Sequence, residues 1–444
     1  MSDETRQWLK DRHIDEVEAL VPDIAGVARG KFFPADKFLK HTLRIPESVF
    51  LQGITGDYGE IDTDRYDIDP DLELVPDYAT LRKVPWTTEP TACVIVDCYR
   101  EGGRPLSHAP RHLLKRVLEL YANKGWRPVI APEVEFYLVQ QNRDPDYPLE
   151  APVGRAGRKE GRGRMYSIDG VNEFDPVIER IYDYCEAMEI DADSLSHEDG
   201  AGQLEVNFLH GDPLELADQV FLFKRAAREA AHKHGIYATF MAKPMQGEPG
   251  SALHLHQSVL DVVTGRNIFT NEDGSDSRLF RAFIGGLQRY VPEAMALFGP
   301  YVNSYRRFTR YLAAPINVQW GYDNRTVGLR VPRSDPENRR IENRIPGADV
   351  NPYLAIATSL ACGYRGMIEG LEPSEPVSGS AYKLPQGLAR DLVSALDLLQ
   401  SSALVHDIFG PEFVELFGAI KRAEQDSYFQ VISPWEREHL LLNV

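Results

Sequence analysis

Two glutamates stand two positions apart in the otherwise apolar segment APEVEFYLVQ. Glu133 and Glu135 lie within residues 131–140, whose valines and aromatic residues predict a buried strand. Side chains at positions i and i+2 of a strand point to the same face, so the two carboxylates should lie side by side. Burying two unpaired negative charges is costly in free energy. The pattern therefore predicts compensating positive charge, from metal ions or from basic side chains.

Acids and histidines recur in further segments of the same kind. Glu198 is followed by Glu205 in SLSHEDGAGQLEVNF, and Glu205 falls in the strand-like run QLEVNF. In GSALHLHQSVL the alternation places His254 and His256 on one face of a predicted strand. In RRIENRIP a further acid, Glu342, stands among arginines at alternate positions.

Taken one at a time, these residues have a simpler structural interpretation. A single strand histidine is more often a hydrogen-bonded core residue than a ligand, and a single buried glutamate is more often paired with an arginine such as Arg344. Together they favour divalent cations, because few lysines on the same strands could neutralise them. Hard oxygen ligands favour Mg²⁺ or Mn²⁺ over zinc. The predicted set is five carboxylates and one or two histidines: Glu133, Glu135, Glu198, Glu205, Glu342, His254 and His256.

Arginines are concentrated in three segments downstream, NSYRRFTRY, DNRTVGLRVP and NRRIENR. A guanidinium group can hold a carboxylate or a phosphate through two parallel hydrogen bonds. Arginines beside a metal–carboxylate cluster therefore predict phosphoryl transfer, in which the protein positions groups and neutralises charge. The alternative is that several are surface ion pairs, and we expect this for Arg306 and Arg339.

The composition restricts the class of protein. The chain has 444 residues, a net charge of −18 and 43% hydrophobic residues, which suits two or three domains. Its acidity argues against nucleic-acid binding. The charged N-terminus lacks the apolar stretch of a signal peptide, and no segment resembles a membrane span, so we expect a cytoplasmic protein. The four cysteines form no CxxC pair, which argues against a disulfide framework.

Hydropathy and turn signals predict the elements that position these residues. From the N-terminus they indicate a helix at 4–20, a small mostly-β domain at 21–100, a helix at 108–126, a strand at 128–139 and a helix at 212–235. In the last of these, Asp212 can cap the N-terminus and Gly235 can end the helix. The Gly- and Arg-rich segment 151–170 predicts a loop, either solvated or a basic flap beside an anionic ligand.

Six motifs lie in the order and at the spacing found in glutamine synthetases: PEVEF, EDGAGQLEVNF, KPMQGEPGSALHLHQS, NSYRRF, NRTVGLRVP and RRIENRIPGADVNPYL. From about residue 20 to its end the chain closely resembles that family. The resemblance implies an α+β fold, with an N-terminal β-grasp domain (1–105) and a catalytic domain (106–444) whose antiparallel sheet curves into a half-barrel flanked by helices. It also implies homo-oligomeric rings of six subunits, which can stack to twelve, with each active site between neighbours.

By motif match, the resemblance gives the candidate residues three roles. One metal ion would be held by Glu135, Glu198 and Glu205, and a second, which bridges the nucleotide phosphates, by Glu133, His254 and Glu342. The substrate glutamate and its acyl phosphate would be bound at Glu135, Gly250, Arg307 and Arg344, of which the two arginines are the candidate catalytic residues. The nucleotide would contact His256, Ser258, Arg325, Arg330 and Arg340.

The chemistry implied by the resemblance is an ATP-dependent ligation. A carboxylate is a poor electrophile, so ATP phosphorylates the γ-carboxylate of glutamate, with two or more Mg²⁺ or Mn²⁺ ions and the arginines offsetting the charge. An amine then displaces phosphate and gives a γ-glutamyl amide. The expected partners are these small substrates and further copies of the chain, with no nucleic acid and no membrane.

Two positions depart from the family where ammonium would bind. The loop after NSY-x-R carries an ammonium-binding glutamate in glutamine synthetases, and counting from Arg307 without a gap places Ala313 there. An aspartate of an N-terminal loop is likewise replaced by Leu51 or Gln52 in VFLQGITG. Because the metal and phosphate residues are retained, the pattern predicts an amine other than ammonia, as in γ-glutamylpolyamine synthetases and related ligases.

The class of amine stays open at the level of sequence. The predicted amine pocket comprises Leu51, Gln52, Leu312 and Ala313. Four nearby aromatic residues either extend an apolar pocket for a bulky or aromatic monoamine or pack in the core: Tyr305, Phe308, Tyr311 and Trp320. Loop acids could instead recruit a polyamine: Asp57, Glu60 or Asp62. Two rival functions are an ordinary glutamine synthetase and a catalytically silent ring-forming scaffold or sensor.

Overall fold

The first sheet contains seven strands drawn from the N-terminal quarter of the chain. The computed structural model describes residues 3–40, 42–61, 64–310 and 313–444. The strands are β1 (Glu16–Pro22), β2 (Ala28–Pro34), β3 (Leu43–Pro46), β4 (Asp71–Pro76), β5 (Arg82–Val84), β6 (Thr91–Arg100) and β7 (Arg104–Pro105). Their order is β2-β1-β6-β4-β3, and β5 and β7 also pair with β6. The pair β1–β6 is parallel, which brings the first strand of the chain into the middle of the sheet.

The predicted N-terminal helix is shorter than the sequence pattern suggested. Helix α1 spans only Asp3–Asp11, and residues 16–22 form strand β1 instead of continuing the helix. His13 adopts a positive φ of 49° in the turn between them. Strand β1 is buried on both faces, so its continuous apolar run reflects a central strand and not the face of an amphipathic helix.

The second sheet contains eight strands and holds most of the predicted site residues. They are β8 (Trp126–Gln140), β9 (Ala192–His197), β10 (Gln203–Phe208), β11 (Ile236–Thr239), β12 (Leu253–Asp261), β13 (Trp320–Tyr322), β14 (Leu329–Val331) and β15 (Ile341–Asn343). Their order is β13-β14-β15-β12-β8-β10-β9, and β11 also pairs with β8. The expected antiparallel arrangement holds except for the edge pair β13–β14, which is parallel.

The helices pack mainly around the second sheet. They are α1 (Asp3–Asp11), α2 (Ala35–Phe38), α3 (Asp64–Ile68), α4 (Pro110–Ala122), α5 (Ile168–Asn172), α6 (Asp175–Ala187), α7 (Pro213–Lys233), α8 (Arg278–Tyr290), α9 (Met295–Phe298), α10 (Pro352–Glu369), α11 (Leu392–Ser401), α12 (Ala403–Phe409), α13 (Pro411–Phe429) and α14 (Pro434–Leu440). The side chain of Asp212 accepts hydrogen bonds from two amides of the first turn of α7, which confirms the predicted cap. Within the described ranges no single helix has the length and hydropathy of a membrane span, although the bent pair α11 and α12 together meets those limits.

Strand β8 separates the core from the candidate site. Val134, Phe136 and Leu138 are fully buried on one face. The ring of Phe136 contacts that of Phe223 on α7 edge to face, with centroids 6.0 Å apart. Because side chains alternate along a strand, the intervening positions, including Glu133, point to the opposite face. The apolar packing of one face thus fixes the position of the carboxylates on the other.

One buried arginine ties the two sheets together. Arg111 on α4 makes ion pairs of 2.7–2.9 Å with Asp77, Asp97 and Asp218. Asp97 lies on β6 of the first sheet, and Asp218 lies on α7 beside the second. The first sheet ends at Pro105 and the second begins at Trp126, while the exact domain division at residue 105 stays a prediction.

Candidate active site

The strand register places the predicted acids and histidines opposite one another across neighbouring strands. Glu205 on β10 pairs with Glu135 on β8. Glu133 on β8 pairs with His254 on β12. Side chains directly opposite each other in an antiparallel pair have Cβ atoms only about 5 Å apart. Four of the predicted ligands therefore form one continuous patch across three strands.

Glu133 lies at the centre of this patch and contacts both histidines of β12. Its carboxylate is 3.2 Å from Nδ1 of His254 and 2.8 Å from Nε2 of His256. Burial alone would raise the pKa of Glu133, but the hydrogen bonds from the two histidines outweigh burial and lower it. Burial lowers the pKa of His254 to about 4, and the neighbouring Arg344 acts in the same direction. His254 is therefore neutral at pH 7, which is the form that ligates metals.

The carboxylates beyond Glu133 repel one another in the absence of cations. Burial, together with the neighbouring Glu205, raises the pKa of Glu198 to about 7. Burial and the neighbouring Glu198 raise the pKa of Glu135, whose Oε2 accepts a hydrogen bond of 2.8 Å from the Ala252 amide. Burial and the neighbouring Glu133 raise the pKa of Glu205. Acids that are held together at such cost are typical of divalent cation sites.

Two groups of side chains have the spacing of metal ligands. The ligand atoms of Glu133, Glu205 and His254 all lie within 4.8 Å of one another, and so do those of Glu133, His256 and Glu342. His256, which the family motif places with the nucleotide, thus lies close enough to share an ion with Glu133. The donor set of carboxylate oxygens and imidazole nitrogens fits Mg²⁺ or Mn²⁺.

Arginines surround Glu342 on the side away from β8. Arg344 and Arg330 both form ion pairs with its carboxylate, and the contact from Arg330 measures 2.8 Å. Burial would raise the pKa of Glu342, but Arg344 and His254 lower it. The Nε atoms of Arg330 and Arg344 are buried without a hydrogen-bond partner in the described part of the chain. These unused donors are available to an anionic ligand.

Arg307 is held rigidly against the loop that contains Gly250. Its two Nη atoms donate to the carbonyls of Ile345 (2.7 Å) and Arg344 (2.9 Å). A Cβ atom at Gly250 would lie 2.6 Å from Cγ of Arg307 and 2.6 Å from the Ala242 carbonyl oxygen. Only glycine therefore lets this loop pass so close to Arg307, and burial lowers the pKa of Arg307 to about 10, which keeps it charged at pH 7.

A cavity of about 900 Å³ opens beside the carboxylate patch. Glu133, His256, Ser258 and Arg340 line it, so three of the five predicted nucleotide residues share its wall. Arg340 donates through Nε to Nδ1 of His256 over 3.2 Å. The remaining two predicted nucleotide residues lie off this wall: Arg330 beside Glu342 and Arg325 at the exposed edge near Glu198.

The residues of the predicted amine pocket differ widely in their exposure. Ala313 is exposed and adopts a positive φ of 62°. Leu51 is only 5% exposed and belongs to the hydrophobic core, whereas Gln52 is half-buried. Leu312 lies outside the described residues, as do Tyr311 and Asp62 of the same hypothesis.

The nearby aromatic residues pack in the core and do not form pocket walls. Trp320 is fully buried and donates its indole N–H to the Ser374 carbonyl over 2.7 Å. Tyr305 and Phe308 are 8% and 6% exposed, and their rings contact each other with centroids 6.2 Å apart. Of the two interpretations of these residues, core packing is the correct one for the three that are described.

Two residues near the site were not among those predicted from the sequence. Tyr166 belongs to the Gly- and Arg-rich loop and is 60% exposed. Burial raises the pKa of Tyr166, and the nearby carboxylate of Glu198 acts in the same direction. Its positive φ of 59° follows no motif. Arg127 lines the far wall of the cavity. It shares the strand face of Glu133 at even spacing along β8, so extending the i, i+2 pattern backwards would have found it.

Comparison with known proteins agrees with this geometry. The family model of the glutamine synthetase catalytic domain matches residues 107–440, and the chain belongs to this family. Glutamate–isopropylamine ligase from a Pseudomonas species is 34% identical over 97% of this chain and 96% of its own. γ-Glutamylputrescine synthetase from Escherichia coli strain K12 is 33% identical over 96% and 92%.

Overall similarity alone does not separate the branches of the family. Glutamine synthetase from Pyrococcus abyssi is also 33% identical, over 96% of this chain and 92% of its own. Among solved structures, apo GmaS without ligand superposes with a TM-score of 0.85 at 28% identity and covers both chains completely. This match confirms the predicted α+β fold with a curved sheet and flanking helices.

Proposed function

We propose that the protein is an ATP-dependent ligase that joins the γ-carboxylate of glutamate to an organic amine. One sequence pattern supports this most: the acids, histidines and arginines of the family motifs are all present, while counting from Arg307 without a gap puts Ala313 where the ammonium-binding acid of glutamine synthetases belongs. The relatives that act on isopropylamine and putrescine support the same assignment. An inert scaffold would not need to keep so many buried acids whose pKa values are raised.

The carboxylate patch holds the divalent cations in this proposal. By the family motifs, Glu135, Glu198 and Glu205 would hold one ion, and Glu133, His254 and Glu342 would hold a second. The ligand atoms that lie within reach of one another in the structure are those of Glu133, Glu205 and His254 and those of Glu133, His256 and Glu342. When bound, the cations neutralise the phosphates of ATP and polarise the phosphoryl group that is transferred. The histidines and Gln203, which donates to Glu135 over 3.3 Å, fix the orientation of the carboxylates.

The arginines position the acyl group. Arg307 is fixed by two backbone carbonyls and lies beside Gly250, so it can hold the substrate carboxylate at a constant place. Arg344 keeps an unused Nε donor near Glu342, where charge develops as the γ-carboxylate is phosphorylated. The cavity of about 900 Å³ accommodates the nucleotide, with Ser258 and Arg340 on its wall.

The amine enters at the side of Ala313. Replacing a glutamate by alanine removes a negative charge and opens space, so an alkyl group fits where an ammonium ion would be held. The described aromatic residues of this region are buried in the core, which favours an aliphatic amine over an aromatic one. Gln52 and the loop around it would reach the site of a neighbouring subunit in a six-membered ring.

Release of phosphate from ATP in the presence of glutamate and Mg²⁺ or Mn²⁺ tests this function. The amine panel spans ammonium, isopropylamine, ethanolamine, putrescine, spermidine, benzylamine and phenethylamine, and mass spectrometry identifies each γ-glutamyl product. We expect strong turnover with an aliphatic amine and little with ammonium. Turnover mainly with ammonium would identify an ordinary glutamine synthetase, and no turnover with any amine would favour a silent ring protein.

A further inference from the structure

The strand that carries Glu133 and Glu135 places a third polar group on the same face. Tyr137 follows at the next alternate position of β8 and is fully buried. Its hydroxyl donates a hydrogen bond of 2.8 Å to the carbonyl of Pro249. Pro249 directly precedes Gly250, which the proposed function assigns to the glutamate site, yet that function gives Tyr137 no role.

Side chains of the sheet hold the segment around Gly250 at several points. Gln203 on β10 lies opposite Tyr137 in the strand register and donates through Nε2 to the Gly250 carbonyl over 3.0 Å. The carboxylate of Glu135 accepts a hydrogen bond of 2.8 Å from the Ala252 amide. Two donors on neighbouring strands therefore bind two successive carbonyls, and the position of this segment depends on the sheet.

The Tyr137 hydroxyl has a fixed place and a fixed protonation state. A Cβ atom at Gly200 would collide with it, so only glycine allows the turn at this position to pack directly against the hydroxyl. Burial raises the pKa of Tyr137, and the nearby carboxylate of Glu248 acts in the same direction. The hydroxyl therefore keeps its proton at pH 7 and serves as a donor, which is the role that the Pro249 carbonyl requires.

The same segment also contacts Arg307, the candidate glutamate-binding arginine. A Cβ atom at Gly250 would lie 2.6 Å from Cγ of Arg307, so the backbone passes directly against this side chain. Because the two are so close, a shift of the segment displaces Arg307 or opens a gap beside it. Tyr137 does not line the cavity assigned to the nucleotide, so its effect should be confined to glutamate.

We propose that Tyr137 is a positioning residue of the glutamate site: its hydroxyl holds the Pro249 carbonyl and thereby keeps the Gly250 backbone in place. The contact of Arg307 with glutamate depends on that placement. This inference rests on the proposed function, because only that function assigns glutamate to this segment. Tyr137 touches no reacting atom in this account and acts through the backbone of the segment.

Steady-state kinetics of Tyr137→Phe tests this role, because the substitution removes the hydroxyl and keeps the ring. With the best amine of the panel, we expect the KM for glutamate to rise about tenfold, since a displaced binding segment weakens binding of the ground state and of the transition state alike. We expect kcat to stay within about twofold of the wild type and the KM for ATP to be unchanged.

Tyr121→Phe is the matched control. Tyr121 on α4 is also fully buried, and its hydroxyl donates over 2.8 Å to the Leu360 carbonyl on α10. Each variant loses one buried hydrogen bond to a backbone carbonyl, so both should lower the melting temperature by a similar amount. Only Tyr137→Phe should change the KM for glutamate.

Calorimetric titration of L-glutamate, with Mg²⁺ and a non-hydrolysable ATP analogue, separates this role from the ligase activity. Binding that is about tenfold weaker in Tyr137→Phe than in the wild type supports the positioning role. Equal affinity in the two, equal KM changes in both tyrosine variants, or a fall in kcat without a rise in KM would overturn it and leave the ligase assignment intact. A wild type that neither binds nor turns over glutamate would overturn the proposed function, and with it the role of Tyr137.

Discussion

The carboxylate patch and the amine side of the site differ in how they are built. The patch lies on four adjacent strands, β10, β8, β12 and β15, whose register places ligands opposite one another, and Glu342 and His254 are almost fully buried. The amine side depends on loop residues such as Ala313, which is exposed and has a positive φ. In the proposed function, the common chemistry is thus held by a rigid sheet, while amine choice depends on loops that can change without disturbing the sheet.

The largest loss of activity is expected from a substitution in the carboxylate patch, which the sheet holds rigidly. Glu135→Gln keeps the size of the side chain but removes a charge from the metal patch, so phosphate release should fall by roughly 1,000-fold, given how much a divalent cation contributes. Manganese binding, measured by electron paramagnetic resonance, should weaken in parallel. Glu272→Gln, at a site 94% exposed, is the control and should change neither. Nearly normal turnover in Glu135→Gln would refute the assignment of this residue.

A smaller effect is expected where the patch meets the substrate. Arg307→Lys retains a positive charge but cannot hold two carbonyls and a carboxylate at once, so the KM for glutamate should rise about 30-fold. The adjacent Arg306, which is exposed and contacts the Tyr428 hydroxyl over 2.9 Å, provides the control Arg306→Lys. If both variants behave alike in steady-state kinetics, Arg307 does not bind the substrate.

A substitution at Ala313, on the amine side, should change the selectivity between amines and not the overall rate. Ala313→Glu restores an acid and fills space, so the ratio of kcat/KM for ammonium to that for the best organic amine should rise about tenfold. Ala313→Gln adds similar volume without charge and separates the two causes. An unchanged ratio in Ala313→Glu would mean that this loop position does not face the amine.

The smallest effect is expected in the pH dependence of protein stability. The pKa of Glu198 is raised from 4.5 to about 7 by burial and by Glu205, so in the metal-free protein the folded state retains a proton that the unfolded state has lost. The free energy of unfolding should therefore fall as pH rises from about 4.5 to 7, and apparent Mn²⁺ affinity should increase over the same range. Thermal unfolding of metal-free protein should show a melting temperature a few degrees lower at pH 7 than at pH 5.5.

Glu198→Gln removes this titrating group and should flatten the dependence of the melting temperature on pH. A wild-type melting temperature that increases with pH over this window would show that Glu198 is not held at high pKa. Saturating Mn²⁺ should remove the pH effect in the wild type, because cations replace the protons.

Residue spacing predicted which face of the strands carries the acids of the carboxylate patch, because strand periodicity is a local property. Alternation alone placed Glu133 and Glu135 on one face, and Asp212 was correct as the cap of α7. Which strand lies beside which depends on long-range pairing, and here the family resemblance was needed. The extent of α1 was overestimated because a strand buried on both faces has no alternation to distinguish it from a helix.

The amine side was harder to predict because exposed loops carry no periodicity. Trp320, Tyr305 and Phe308 are close to Ala313 in sequence, yet they pack in the core. Sequence proximity could not reveal whether their side chains face the core or a pocket. Tyr166 lies more than 140 residues away from Ala313 in the chain and reaches the acids only through the fold. Leu51 likewise has a core position that its loop context did not indicate.

Direct competition tests the central claim that the carboxylate patch serves ligation of an organic amine. Wild-type protein receives ATP, glutamate, Mg²⁺ and equal concentrations of ¹⁵N-ammonium and isopropylamine, with ATP limiting, and mass spectrometry counts the two products. The product ratio equals the ratio of the two kcat/KM values. We predict at least tenfold more γ-glutamyl isopropylamide than ¹⁵N-glutamine. An excess of ¹⁵N-glutamine would contradict the account and would mean that another group replaces the missing acid at Ala313.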